Sequence, residues 1–169
     1  MHYSTTFPST LGMITLASDG ENLIGLWLEG QKYYGGSIPE DMVTDDTLLI
    51  FEVTKKWLAR YFNGENPAMT ELPIAPIGSK VRQDVWSILC EIPYGEVLTY
   101  GDIAKKIAVK TNKSRMSSQA VGGAVGHNPI SIIIPCHRVV GTNGSLTGFA
   151  GGISKKISLL ELEGVDMSN

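Results

Sequence analysis

Residues 132–140 read Ile132-Ile133-Ile134-Pro135-Cys136-His137-Arg138-Val139-Val140. An apolar run of this length predicts a short buried strand. Pro135 brings no N–H to a ladder and has a fixed φ, so the chain must leave the strand there. Cys136 is then presented from a rigid, turned backbone whose surroundings exclude water. A thiol so placed can be a positioned nucleophile, because the thiolate is the reactive form and the environment sets how much of it exists. The plainer reading is that a cysteine among apolar residues is an inert, buried small hydrophobe. On an extended segment adjacent side chains also point to opposite faces, so neighbours in sequence are not partners in space. Cys90, in Val85-Trp86-Ser87-Ile88-Leu89-Cys90, has only the plain reading: a core residue on a helix with no histidine near it in sequence.

The flanking residues are helical and rich in small side chains. Ser117 or Ser118 can start a helix through Val125. Its glycines at 122 and 123 each weaken it by about 1 kcal/mol relative to alanine, which predicts close approach of another backbone. Thr99 can cap a helix beginning at Tyr100, with Asp102 placed for a capping box. Residues 110–116 read as polar loop. Two short helices joined this way fit a helix-turn-helix, and pattern alone fits a helical hairpin equally well. Upstream, Ser79 caps a helix with Val81, Val85, Ile88 and Leu89 inside, ending before the turn Pro93-Tyr94-Gly95-Glu96. Downstream, Ser154 caps a last helix with Ile157, Leu159, Leu160 and Leu162 inside, and Gly164 follows it.

The first half has a different character. Gly12–Ala17 and Leu23–Leu28 read as two strands, and Asp19-Gly20 between them is a hairpin signal. Residues 29–43 are loop-like. Thr44 begins a helix with Asp45 and Asp46 in its first turn, where they complement the helix dipole. Ile50, Val53, Trp57 and Tyr61 share one face, and Asn63-Gly64 ends it. Residues 67–76 hold three prolines and read as a terminal strand plus linker.

The 169 residues can hold one domain or two small ones, and 43% are hydrophobic, enough for a core. No segment approaches the ~18 apolar residues of a membrane span. The first residues lack the regions of a signal peptide. Two cysteines in unlike contexts make no disulfide framework, so a reducing cytoplasm is expected. Net charge is −3, but unevenly spread. Residues 1–78 carry 4 Lys/Arg against 10 Asp/Glu, and residues 79–169 carry 10 against 7. From Ile103 to Leu160 there are eight basic residues and no acidic one. A stretch without carboxylates suits a polyanion, and it equally fits a solvated basic face.

Together, Pro135-Cys136-His137-Arg138-Val139, the stretch Ala120-Val121-Gly122-Gly123-Ala124-Val125-Gly126-His127-Asn128-Pro129 and Gly148-Phe149-Ala150-Gly151-Gly152 resemble the O6-alkylguanine-DNA alkyltransferases. Those proteins repair alkylated guanine by moving the alkyl group to their own cysteine. The resemblance is close from Ser79 to Val165 and holds only in general plan over residues 1–76. It implies an α+β protein. A small N-terminal α/β domain with a mainly antiparallel sheet (1–76) would precede a mostly helical domain with a winged-helix-like helix-turn-helix (79–169).

The resemblance also implies roles. Cys136 is the alkyl acceptor, His137 its base through a bridging water, and Glu163 the group that orients His137. Read by itself, Glu163 is an ordinary surface acid at a helix end. Asn128, by type a turn residue, becomes the hinge between recognition helix and active site. Tyr100 hydrogen-bonds the flipped base and helps protonate the departing guanine. Backbone groups at Cys136, Val139 and Ala150 contact the base. Arg115, Ser117, Ala120, Gly123 and Arg138 are the candidate DNA-contacting residues. Relatives commonly carry arginine where this chain has Gln119, the residue that would fill the space left by the flipped base. Phe149 and Ala150 stand where some relatives have tyrosine and serine. Some relatives bind zinc in the first domain. Here only His2 is available before Cys90, so no metal and no cofactor are expected.

The expected partner is double-stranded DNA carrying alkylated bases, met by a monomer, with O4-alkylthymine as a further substrate. Two other classes stay open: a module that flags alkyl damage without removing it, and a Cys-His hydrolase. The relatives that only flag damage lack the cysteine that this chain keeps.

Overall fold

A computed structural model describes residues 1–31, 42–112, 116–146 and 149–166. The chain forms two compact units, one of Met1–Ile77 with Pro129–Ser131, the other of Gly78–Asn128 and Ile132–Asn169.

In the first unit, β1 (Tyr3–Ser9), β2 (Gly12–Ser18), β3 (Leu23–Trp27) and β4 (Val43–Thr44) form a sheet in the order β3-β2-β1-β4. The β1–β2 and β2–β3 pairs are antiparallel, and β4 runs parallel to β1. Every residue of β3 is buried. Gly25 is obligatory there, because a Cβ on it would lie 2.2 Å from the Trp27 ring. On its free edge β3 takes the segment 129–131: Leu26 N–H donates to Pro129 O (2.8 Å) and Ser131 N–H to Leu26 O (3.0 Å). Helix α1 (Leu49–Phe62) starts later than the sequence suggests. Thr44 is spent in β4, and Asp45 instead accepts from the Thr47 N–H in the turn before the helix. The inward residues of α1 are Ile50, Phe51, Thr54, Trp57, Leu58 and Tyr61, with Val53 only half-buried. Residues 67–76 are not a strand: Met69–Glu71 is a 3₁₀ turn, and only Ile74 bridges to Leu23.

In the second unit, Ser79 caps α2 (Lys80–Leu89) by accepting from Arg82 N–H. Val85, Trp86, Ile88 and Leu89 point inward, but Val81 is 55% exposed. It lies on the same stripe as Val85 and Ile88 but in the first turn, where the helix end has no packed neighbour to cover it. β5 (Leu98–Thr99) leads into α3 (Tyr100–Thr111), whose capping box of Thr99 and Asp102 is complete. Ser117 caps α4 (Ser118–Gly126) through Ala120 N–H. Helices α3 and α4 form the helix-turn-helix, and α2 packs on both. The Trp86 indole N–H fixes α4 by donating to Ala124 O (2.9 Å).

Three sequence expectations give way here. The glycines of α4 are not packed against a backbone: a Cβ on Gly122 would meet only Tyr100 at 3.9 Å, and one on Gly123 nothing within 4 Å. They flatten an outward face instead. Helix α5 (Ile153–Leu162) begins from Gly152 at φ 101°, a conformation that favours glycine, so Ser154 sits inside the first turn rather than capping it. The apolar run 132–134 is buried yet is a turn, not a strand. A buried apolar run has the same periodicity in either case. The pairing of strand type starts only afterwards, where β6 (Val139–Val140) lies parallel to β5.

Candidate active site

The backbone around Cys136 is turned tightly. Ile132, 1% exposed, adopts φ +71°. That left-handed conformation costs a β-branched residue on the order of 1–3 kcal/mol, so the packing around it must hold it there. Pro135 follows at φ −80°, ψ 65°, and Cys136 N–H reaches back to Ile134 O (2.8 Å). Those angles and that bond are an inverse γ-turn. Asn128 donates its side-chain amide to the same carbonyl (2.8 Å) and is itself buried. Asn128 therefore ties the end of α4 to the turn that carries the cysteine.

Cys136–Arg138 is a single 3₁₀ turn rather than an extended segment. With three residues per turn, consecutive side chains fan out about 120° apart instead of opposing each other. Cys136 is 4% exposed and His137 fully buried. His137 Nε2 lies 2.6 Å from Glu163 Oε2. Arg138 donates to the same carboxylate through Nε (2.7 Å) and Nη2 (3.0 Å), and Gly95 N–H adds a fourth donor at 3.1 Å. Glu163 closes α5 and is 4% exposed, so it is not the surface acid that its position suggests.

A carboxylate accepts, so Nε2 must carry the proton, and Nδ1 is the basic nitrogen of a neutral ring. His137 Nδ1 is, among the described residues, the buried side-chain polar atom with no hydrogen-bond partner in the protein. Burial holds His137 below its ordinary value of 6.5; Glu163 pulls the other way, and the cations of Arg138 and Lys156 add to the lowering. The unfolded state therefore binds more protons just below that value. Stability should fall as pH drops through about 6.5, well before ordinary carboxylates titrate. Urea unfolding at a series of pH values would show it, and His137→Gln should flatten that part of the curve.

Lys156, from α5, was not anticipated. It is fully buried and donates to Val139 O at 2.5 Å. Burial lowers it to about 8, and the nearby Cys136 thiolate favours its charged form. Its one sequence signal was a lysine where the helix pattern needs an apolar residue. Tyr100 is half-buried, and its hydroxyl is pushed up by burial and then by the charge of Cys136, so it stays protonated at neutral pH. Tyr100, Gly101, Ser118, Gln119, Gly122, Gly141 and Thr142 line a groove of about 390 Å³. Gln119 is thus brought to the same groove as Tyr100. Ser117 at the N-cap of α4 and Ala120 and Gly123 within it are exposed, spaced three residues apart. Phe149 and Ala150 are half-buried in the turn before α5. Arg115 lies outside the described residues. Arg138 is the correction: its guanidinium faces Glu163 and Ile92 O rather than solvent, because a buried carboxylate demands a partner. Among the described residues no cluster of three or more His, Cys, Asp or Glu side chains could hold a metal. No helix among them is long and apolar enough to cross a membrane.

Two family descriptions match consecutive parts of the chain. The first, "6-O-methylguanine DNA methyltransferase, ribonuclease-like domain", covers residues 1–76. The second, the DNA binding domain of the same methyltransferase, covers residues 80–165. The chain belongs to the 6-O-methylguanine DNA methyltransferase family. The methylated-DNA--protein-cysteine methyltransferase of Haemophilus influenzae is 41% identical, covering 95% of this chain and 86% of that one. Its counterpart from Methanosarcina acetivorans is 42% identical, covering 96% and 98%. A Mycobacterium tuberculosis OGT structure in complex with DNA superposes with a TM-score of 0.83 at 38% identity, covering 95% of this chain and 92% of that one. The α+β architecture with a helical second half is that of the family.

Proposed function

We propose that this protein repairs O6-alkylguanine in double-stranded DNA by moving the alkyl group irreversibly to Cys136. The buried Cys136-His137-Glu163 arrangement on a fixed turn carries the reading. The Cys136 proton passes through a bridging water to His137 Nδ1, and Glu163 holds the ring in the tautomer that can accept it. The thiolate sulfur attacks the alkyl carbon from the side opposite O6. The carbon–oxygen bond breaks, its electron pair stays on guanine, and Tyr100 supplies a proton to the departing base. The product thioether has no easy leaving group, so each molecule acts once. O4-alkylthymine offers the same kind of alkyl–oxygen bond and is a second substrate. Residues 1–76 and 79–169 serve as the two domains, and the protein works as a monomer in a reducing cytoplasm, where the thiol survives.

The target base must leave the stack, which costs a few kcal/mol. The exposed small residues Ser117 at the cap of α4 and Ala120 and Gly123 within it let this helix approach the duplex closely. Gln119, on the groove it shares with Tyr100, fills the space the base leaves. Binding should weaken steeply with salt as counterions are released. The test is intact mass after incubation with an O6-methylguanine oligonucleotide. The mass should rise by one methyl group, on the peptide containing Cys136, and stop after one equivalent. Turnover of an excess of acyl ester would favour a hydrolase instead.

Gln119 gives a separate expectation. Gln119→Gly should slow repair in duplex DNA but leave transfer from free O6-benzylguanine nearly unchanged, because the free base needs no flipping. Gln119→Arg should tighten duplex binding by about 1 kcal/mol, less than a bidentate base contact. Equal loss on both substrates for Gln119→Gly would show that the residue supports the groove rather than the displaced base.

A further inference from the structure

We propose that Arg138 is a positioning residue for alkyl transfer: its fork on Glu163 keeps His137 uncharged at rest, so that the imidazole is free to take the thiol proton. This rests on the reading of Cys136 as acceptor and His137 as its base.

A buried imidazole 2.6 Å from a lone carboxylate favours the imidazolium, since the opposite charge beside it stabilises the protonated ring. Nδ1 would then carry a proton already, and the base would be spent before the thiol arrived. Arg138 prevents this by claiming the carboxylate first. Its Nε and Nη2 engage both Glu163 oxygens, and its Nη1 donates to Ile92 O at 2.7 Å. Its guanidinium carbon lies 5.8 Å from the centre of the Tyr94 ring. The fork is thus fixed on three sides, and its charge stays with Glu163.

The other charges agree. Around His137 stand Glu163 and Lys156 from α5, Arg138 and Cys136 from its own turn, and Tyr94 and Gly95 N–H from the turn after α2. Tyr100 of α3 faces Cys136, and Cys90 at the end of α2 feels Arg138. At neutral pH with the thiol protonated, the charged members are one carboxylate and two cations. A third cation, the imidazolium, is disfavoured. Once Cys136 ionises, the thiolate adds the missing negative charge, and a protonated His137 is accommodated. Proton transfer then leaves the local net charge unchanged. An arginine suits this better than a lysine because only a planar fork can hold both carboxylate oxygens.

The experiment is a pH titration of the full-length protein with ¹⁵N-labelled histidine, followed by NMR between about pH 5.5 and 8, where an ordinary imidazole changes charge. In the wild type, His137 should remain neutral at pH 7 with the proton on Nε2. In Arg138→Met it should show the imidazolium pattern at pH 7. Its single-turnover methyl transfer should fall by about tenfold or more there and recover as pH rises past the new titration. Arg138→Lys, which keeps the charge without the fork, should restore most of the neutral ring and part of the rate. A wild-type His137 that is already imidazolium at pH 7 overturns the proposal, whether or not the methionine variant folds. So does a methionine variant with a neutral His137 and a rate reduced equally at every pH, the mark of a merely structural role. If the NMR result is as expected but the methyl group maps to another residue, the reading of Cys136 fails and the electrostatic role of Arg138 stands.

Discussion

Cys136→Ser is expected to stop methyl transfer, with a loss on the order of a thousandfold or more, while folding and duplex binding persist. A serine hydroxyl is far less acidic than a thiol, so the base that ionises Cys136 has too little to work with. The change is nearly isosteric in a site that is 4% exposed, so the surrounding packing should hold. Cys90→Ser is the control. Burial pushes the Cys90 thiol up to about 11, and the adjacent Glu91 charge adds to it, so it is protonated and unreactive at neutral pH. Single-turnover rates with a methylated duplex and peptide mapping of the product separate the two. Transfer that survives Cys136→Ser, or a methyl group on Cys90, would remove Cys136 from the acceptor role.

Much of this site was readable from sequence, and the reasons for the rest are physical. Local chemistry was legible where a side chain bonds its own backbone neighbours. Ser79, Thr99 and Ser117 each sit where an N-terminal cap must, and each makes the predicted bond. The start of α1 was misread because β4 pairs with β1, a contact some forty residues apart in sequence that no local pattern encodes. Strand β1 itself carries threonines and a proline, a weak signal until β2 lies beside it. The family resemblance singled out Cys136, His137 and Glu163. It did not show that Arg138 turns inward, because an arginine in a basic stretch reads as a DNA contact until its carboxylate partner is seen. Lys156 was hidden for a related reason. Its residue type reads as surface although its spacing to Leu159 and Leu160 is that of the inward face, and only the folded chain shows it reaching Val139 O from the interior.

Glu163→Gln is expected to have the next largest effect, on stability and rate together. The carboxylate takes four donors, and the amide replacing it offers one oxygen and two N–H groups of its own. One amide N–H would face a donor, and the Arg138 guanidinium would be left without a counter-charge. Removing one partner of a buried ion pair costs about 3–5 kcal/mol, and the lower end applies here because the Arg138 side chain keeps 11% of its exposure. Transfer should slow by about a hundredfold, since His137 loses the group that fixes its tautomer. The double variant Arg138→Met/Glu163→Gln separates the two losses. With both charges gone, the double variant should lose less stability than the sum of the two single losses, as expected for groups that interact directly. The rate should not recover, because nothing then orients the imidazole. Urea unfolding and single-turnover transfer on the four proteins would complete the cycle. Additive stabilities would mean that the Arg138–Glu163 pair contributes no coupling, and the carboxylate would then act on His137 alone.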